Sequence, residues 1–181
     1  MLPNRCGGRV ASATRPRPLL AEPPEDLLRE VLDRYRDFRI IVELKNNTPQ
    51  AAQAVAEVVR ACGAVDRVCV GSFGWSVLRA LRVLAPEIAT SAAREEVRWA
   101  LYRSWCGIPM PRGRYLGFQV PELAGRTRVV SPRFVAAARR AGLSVHVWTV
   151  DCEEDARRLL AWGVDGVITD RPDRLVPVVH G

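Results

Sequence analysis

The chain has 181 residues, of which 48% are hydrophobic and 26% charged, a composition that suits one domain with a core of ordinary size. Its formal charge is +7, but the arginines are spread over all predicted helices and loops, which argues against a nucleic-acid-binding protein. No run of about 18 apolar residues occurs and the N-terminus lacks an apolar segment, so we expect no membrane span, no secretory signal and a cytoplasmic location.

Lysine and cysteine usage are both unusual. Of the 27 cationic side chains, 26 are arginine, and Lys45 is the only lysine. The five cysteines are widely spaced, with no C-x-x-C pair and no histidine at zinc-ligand spacing, which favours reduced cysteines and argues against a zinc site.

Strands and helices are predicted to alternate along most of the chain. Residues 1–24 are rich in arginine and proline and show no periodicity, so we expect a disordered leader or a wrongly assigned start, followed by one domain over residues 25–181. The predicted strands cover residues 38–45, 67–73, 88–91, 115–120, 144–150 and 164–169. The predicted helices cover residues 25–36, 49–62, 75–84, 94–105, 132–141 and 152–162, and a short helix ends the chain.

Local signals bound several of these helices. We expect Thr48, Ser131 and Asp151 to be N-caps, and Gly63 and Gly163 to end the helices that precede them. Alternating strands and helices predict a parallel α/β sheet with right-handed crossovers. Periodicity alone leaves open whether the six strands form an open doubly wound sheet or most of a barrel.

The strand at residues 38–45 bears the strongest candidate site. Alternation places Ile41, Glu43 and Lys45 on one face, near the carboxyl end of the strand, where the functional side chains of parallel sheets emerge. A carboxylate there can bind a hard divalent cation, while an ammonium offsets phosphate charge. A simple ion pair at a strand end is the alternative, but the use of the only lysine at this position favours a functional pair.

Five stretches resemble the glycerophosphodiester phosphodiesterase family, whereas no dinucleotide-binding or P-loop motif is present. The stretches are E-L-K at 43–45, G-S-F at 71–73, Pro86, V-H-V-W-T-V at 145–150 and G-V-D-G-V-I-T-D-R-P at 163–172. The last two are specific in combination. The resemblance covers about residues 24–178.

This resemblance implies an incomplete parallel TIM-type barrel of about six of the eight strands, from a family that hydrolyses glycerophosphodiesters to glycerol 3-phosphate and an alcohol. Glu43 matches the family's ligand for a divalent metal, Ca²⁺ or Mg²⁺, and Lys45 matches its phosphate-facing catalytic lysine. Trp148, Phe73 and Gln119 are expected to line the substrate pocket, although Trp148 could equally be a core residue and the other two ordinary rim residues.

Three further polar residues are expected to have structural roles. His146 shares a face with Trp148 but lies one layer deeper, which indicates interior packing with a satisfied imidazole. Asp165 precedes its strand and suits a turn or cap, and Asp170 could be either a functional residue or a helix N-cap.

The front motifs of the family are missing from this sequence. No H-R-G, E-x-D or H-D motif precedes Glu43, and the chain's histidines are His146 and His180. We therefore expect a truncated or misassigned reading frame, or a decayed gene, whose product is inactive alone because its metal site is incomplete. The alternative is a non-catalytic barrel remnant that acts as a binding or dimerisation module, with self-association through exposed sheet edges.

Overall fold

The computed structural model describes residues 24–111 and 114–180, so the predicted leader lies outside the described residues except for Pro24. The helices are α1 (Pro24–Arg34), α2 (Pro49–Ala61), α3 (Trp75–Leu84), α4 (Arg94–Cys106), α5 (Pro132–Arg140), α6 (Glu153–Ala161) and α7 (Pro172–His180). The strands are β1 (Ile40–Glu43), β2 (Val68–Gly71), β3 (Ala89–Thr90), β4 (Gly117–Pro121), β5 (Leu123–Ala124), β6 (Thr127–Arg128), β7 (Ser144–Trp148) and β8 (Gly166–Val167).

Six parallel strands form an open arc in the order β1-β2-β3-β4-β7-β8. Two three-stranded sheets, β1-β2-β3 and β4-β7-β8, are joined by a parallel bridge between Ser91 and Gly117. Main-chain hydrogen bonds from Leu116 N to Thr90 O and from Ala92 N to Gly117 O, both 2.9 Å, strengthen this junction. Over the described residues the arc does not close, and β1 and β8 each have a strand neighbour on one side only. The prediction of six parallel strands is confirmed.

Helices cover one face of the arc and create two separate cores. In the first core, α1, α2 and α3 pack over β1–β3, and its buried residues include Leu32, Val59, Val70, Leu78 and Leu81. In the second, α4–α7 pack over β4, β7 and β8, and its buried residues include Phe118, Val120, Phe134, Val147 and Leu159. The division falls between adjacent residues, since Ala92 belongs to the second core and Ala93 to the first.

The helix boundaries follow most of the predicted signals. Thr48 Oγ1 accepts a hydrogen bond from Ala51 N at 3.3 Å, and Ser131 Oγ accepts one from Phe134 N at 3.2 Å. Gly63 and Gly163 follow their helices with φ of 57° and 87°, the left-handed conformation that glycine adopts readily.

The predicted cap at Asp151 is wrong. Helix α6 begins after Cys152, and Asp151 Oδ1 instead accepts hydrogen bonds from Thr169 Oγ1 at 2.8 Å and Asp170 N at 2.9 Å. The carboxylate therefore ties the end of β7 to the loop after β8. The hairpin of β5 and β6, which turns at Gly125 with φ 60°, was not predicted.

Two other expectations concern cysteines and membranes. Cys62, Cys69 and Cys106 are free thiols, but Cys152 is disulfide-bonded, so the expectation of reduced cysteines is wrong at that position. Among the residues that the structure describes, no helix is both long and apolar enough to cross a membrane.

Candidate functional site

The face of the arc opposite the helices, here called the inner face, bears the predicted site residues. In β1, Ile40 and Val42 pack towards the helical core, while Ile41 and Glu43 point the other way and are exposed. Strand register extends this face across the arc through paired positions. The inner face comprises Ile41, Glu43, Lys45, Cys69, Gly71, Phe73, Ser91, Gln119, His146 and Trp148.

Glu43 and Lys45 form an ion pair on the inner face. Lys45 Nζ lies 2.6 Å from Glu43 Oε2, with 74% and 42% of the two side chains exposed. The shared face predicted by strand alternation is confirmed. A pair this exposed contributes little to stability, about 0–1 kcal/mol, so its position is not explained by folding. The ammonium has three donors, of which Glu43 uses one, and Lys45 can therefore still donate to an anionic ligand.

Phe73 and Trp148 form an aromatic wall on the same face. Phe73 and Lys45 each lie two residues beyond Gly71 and Glu43, which are opposite each other in register, so the two chain segments are adjacent. The two rings contact edge to face, with centroids 5.8 Å apart and planes at 79°. The Arg94 guanidinium lies over the Phe73 ring at 5.7 Å. The wall brings together strands that are 75 residues apart in the chain.

Gln119 lies against the small residues at the centre of the inner face. A Cβ on Gly71 would lie 2.7 Å from Gln119 Oε1 and 3.1 Å from Ser91 Oγ, so the absence of a side chain at Gly71 makes room for the amide. Gln119 Nε2 also approaches Cys69 Sγ at 4.0 Å. Burial raises the pKa of the Cys69 thiol, which therefore stays protonated and is a poor nucleophile.

The loop after β1 is fixed by bonds to the neighbouring unit. Ser72 Oγ donates to Leu44 O at 2.7 Å, next to Lys45 in the chain. Asn47 Oδ1 accepts from Val77 N at 2.9 Å and so caps α3, whose own N-cap residue, Gly74, has no side chain to do so. These bonds hold the Lys45 segment beside the Phe73 segment.

The remaining candidates have structural surroundings. The half-buried His146 ring lies against Gly166, where a Cβ would lie 2.8 Å from His146 Cδ2. Asp165 Oδ2 accepts from Val145 N at 2.8 Å, so Asp165 binds the start of β7, in keeping with its predicted turn or capping role. Asp170 is exposed, and its backbone N–H donates to Asp151.

A divalent metal does not fit the donor set that the structure describes. Ca²⁺ takes six to eight oxygen ligands, and Mg²⁺ requires a near-octahedral shell. Residues 24–111 and 114–180 contain no group of three or more His, Cys, Asp or Glu side chains that could hold a metal ion. Glu43 is a single carboxylate and is already paired with Lys45.

Two residues near the site were missed from the sequence. Arg94 begins the helix that follows β3, a position at the carboxyl edge of the sheet that could have marked it. Asn47 follows E-L-K by two residues, but an asparagine that caps a helix other than the next one leaves no local signal.

Known proteins match this chain over most of its length. The model of the glycerophosphoryl diester phosphodiesterase family matches residues 17–174. The Mycobacterium tuberculosis protein named "Probable glycerophosphodiester phosphodiesterase 2" is 32% identical over 157 residues, covering 84% of this chain and 59% of that protein. A glycerophosphodiester phosphodiesterase of Caldanaerobacter subterraneus is 27% identical over 148 residues, covering 80% and 57%.

Solved structures share the fold. The crystal structure of glycerophosphodiester phosphodiesterase from Agrobacterium tumefaciens superposes with a TM-score of 0.60 at 25% identity, covering 87% of this chain and 61% of that one. The chain thus spans about three fifths of the length of these relatives. Because the family model matches most of its length, the chain belongs to the glycerophosphoryl diester phosphodiesterase family.

Proposed function

We propose that this chain presents the lysine-bearing part of a glycerophosphodiester phosphodiesterase site, which binds the glycerol phosphate portion of its ligand and does not hydrolyse it unaided. The observation that carries the proposal is that the exposed Lys45 ammonium and the Phe73–Trp148 wall lie on the same inner face of a family-type sheet. The family's reaction would convert a glycerophosphodiester and water into glycerol 3-phosphate and an alcohol. The open arc would be six strands of an eight-stranded barrel.

The inner face supplies binding groups for such a ligand. Lys45 donates to a phosphate oxygen, and Glu43 holds the ammonium at the end of β1. The wall of Phe73 and Trp148 offers apolar surface to the carbon backbone of glycerol, and Arg94 adds positive charge at its edge. Gln119 can donate or accept a hydrogen bond from the floor of the face.

On this face, the titratable side chains that the structure describes are engaged or set back from the Lys45 end. Phosphodiester hydrolysis needs an activated water and a proton for the leaving alcohol. His146 lies one layer deeper than Trp148 in β7, with Gly166 against its ring, and Cys69 stays protonated. Glu43 is occupied by Lys45. We therefore expect binding without turnover by the 181-residue chain.

Binding and turnover are tested separately on the same preparation. Titration calorimetry with sn-glycerol 3-phosphate should give binding that Lys45→Ala weakens at least tenfold, because the phosphate loses a charge-assisted hydrogen bond of about 1.5–3 kcal/mol. Glu43→Gln is the matched control: it frees the ammonium and should leave affinity equal or higher. Equal affinity of Lys45→Ala and wild type would refute the binding site.

Turnover is measured as release of glycerol 3-phosphate from glycerophosphocholine, with Ca²⁺ or Mg²⁺ added. We expect no metal-dependent release by the purified chain, since Glu43 alone does not fit such a cation. Metal-dependent turnover that Glu43→Gln abolishes would refute the proposed inactivity and assign a complete metal site to this chain.

A second candidate function is self-association through the open sheet edges. Strands β1 and β8 each have one neighbour in the described part of the chain, and Ile41 and Ile168 beside these edges are 44% and 37% exposed. Analytical ultracentrifugation should then show a defined dimer that Ile41→Lys dissociates. A monomer, or polydisperse aggregates insensitive to this substitution, would exclude a specific dimerisation module.

A further inference from the structure

Helix α4 presents a row of large aromatic side chains to solvent. Trp99, Tyr102 and Trp105 recur every third residue and are 67%, 55% and 51% exposed. The opposite side of the helix buries Ala100, Leu101 and Ser104 against the second core. Adjacent exposed aromatic residues on one helix face are uncommon at the surface of a soluble protein and mark an interaction site. This face, here called the α4 aromatic face, lies outside the inner face described above.

The aromatic face borders an apolar groove. The groove has a volume of about 620 Å³ and is bounded on its far side by Thr127 in the β5–β6 hairpin. Trp99 and Tyr102 contact edge to face, with centroids 6.3 Å apart, so they form one continuous apolar surface. Arg98 and Glu95 line the same groove and give it a charged rim. The lining therefore suits a partner that presents apolar groups to the groove and polar groups to its rim.

Cationic side chains outnumber free carboxylates at this groove. Arg98 lines it and the exposed Arg126 adjoins Thr127 in the chain, whereas Glu95 is the acidic residue of the lining. Of the other glutamates in this part of the chain, Glu96 pairs with Arg82, and Glu122 pairs with both Arg158 and Arg128. Among the groove residues, only Glu95 opposes an approaching anion. The partner that fits this charge is anionic.

We propose that the α4 aromatic face docks on an anionic phospholipid surface. Tryptophan and tyrosine are favoured at membrane interfaces because their rings enter the acyl boundary while their polar atoms stay hydrated. Basic residues beside them add electrostatic attraction to anionic headgroups. A nucleic acid would match the charge but would leave the apolar groove unfilled. Docking is independent of ligand binding at Lys45.

Vesicle flotation of the full chain tests the proposal. Phosphatidylcholine vesicles that contain about 30 mol% phosphatidylglycerol should bind the protein, because anionic headgroups attract basic residues. Vesicles of pure phosphatidylcholine should bind at least tenfold less protein. The triple variant Trp99→Ser, Tyr102→Ser, Trp105→Ser should lose at least tenfold in partition coefficient. Arg98→Gln should lose about fivefold. Phe38→Ser and Arg29→Gln, exposed residues of the same types elsewhere, should bind like wild type.

The vesicle experiment needs a folding control and has defined contrary outcomes. Circular dichroism shows whether the variants fold, and since all the substituted residues are exposed, folding should persist. Equal vesicle binding by wild type and the triple variant, or no binding by wild type, overturns the proposal. Preferential binding to a 20-base-pair DNA, or a dimer that only the triple variant dissociates, would also overturn it in favour of a different partner.

Discussion

Glu96 is the residue whose removal should destabilise the fold most clearly. It binds Arg82 through two hydrogen bonds of 2.8 and 3.0 Å, and it also accepts from Ala93 N at 2.8 Å at the start of α4. Arg82 in turn donates to Thr90 Oγ1 and Ser91 O, at the junction between the two halves of the arc. Glu96→Ala would leave a charged guanidinium without its counter-ion inside this junction.

The magnitude follows from the burial of the pair. Breaking a buried ion pair from one side costs about 3–5 kcal/mol, and because the two side chains are 14% and 12% exposed, the lower end applies. Loss of the hydrogen bond to the helix N-terminus adds about 1 kcal/mol. We therefore expect Glu96→Ala to lower the free energy of unfolding by about 4 kcal/mol.

Urea denaturation followed by circular dichroism measures this loss. For a domain of this size the dependence on urea is about 2 kcal/mol per molar, so the midpoint should fall by about 2 M. Glu95→Ala is the matched control, since the adjacent Glu95 is exposed and should change stability by no more than about 0.5 kcal/mol. If the two variants unfold at the same urea concentration, the Arg82–Glu96 pair does not stabilise the junction as described.

Two other predictions concern packing and pH. Gly117→Ala should lower the melting temperature by about 10 °C, because a Cβ at this position would lie 2.4 Å from Ser144 O. Relieving that clash costs about 3 kcal/mol. An unchanged melting temperature would mean that β4 and β7 can move apart to accept the methyl group. Burial raises the pKa of Glu122, but the hydrogen bond and charge of Arg158, with those of Arg128, outweigh it and leave that pKa below its usual range. A lowered folded-state pKa stabilises the protein above the unfolded pKa of about 4.3, so stability should fall as pH drops from there through the folded pKa. In Glu122→Gln this part of the pH profile should flatten, and an unchanged slope would exclude the pair as its cause.

The strands of the arc could be predicted from the sequence because each is a short apolar run between turn signals. β2 reads Val-Cys-Val-Gly and β7 reads Ser-Val-His-Val-Trp, and in both the buried valines alternate with inner-face residues. The hairpin of β5 and β6 has only two residues in each strand, all exposed, so it has no apolar pattern to detect. Its remaining sequence signal is the turn glycine, Gly125.

The candidate site was predictable where its residues are close in the chain. Continuing the alternation of β1 two residues past its end places Lys45 on the same face as Glu43, and the ion pair follows from that. The contact between Phe73 and Trp148 depends on the curvature of the arc, which no local pattern specifies. Asp151 shows the same limit, since its position suits an N-cap, yet Thr169 and Asp170 compete successfully for its carboxylate.

The division between Ala92 and Ala93 has a consequence for how the molecule opens. Each half of the arc has its own apolar core, and the junction relies on Arg82, the Ser91–Gly117 bridge and the main-chain bonds beside them. Regions with separate cores open locally with free energies below that of global unfolding, so we expect each half to open as a sub-global unit. Amide exchange would accordingly group β1–β3 apart from β4, β7 and β8. The inner face, which spans both halves, is therefore assembled only while the two units remain docked.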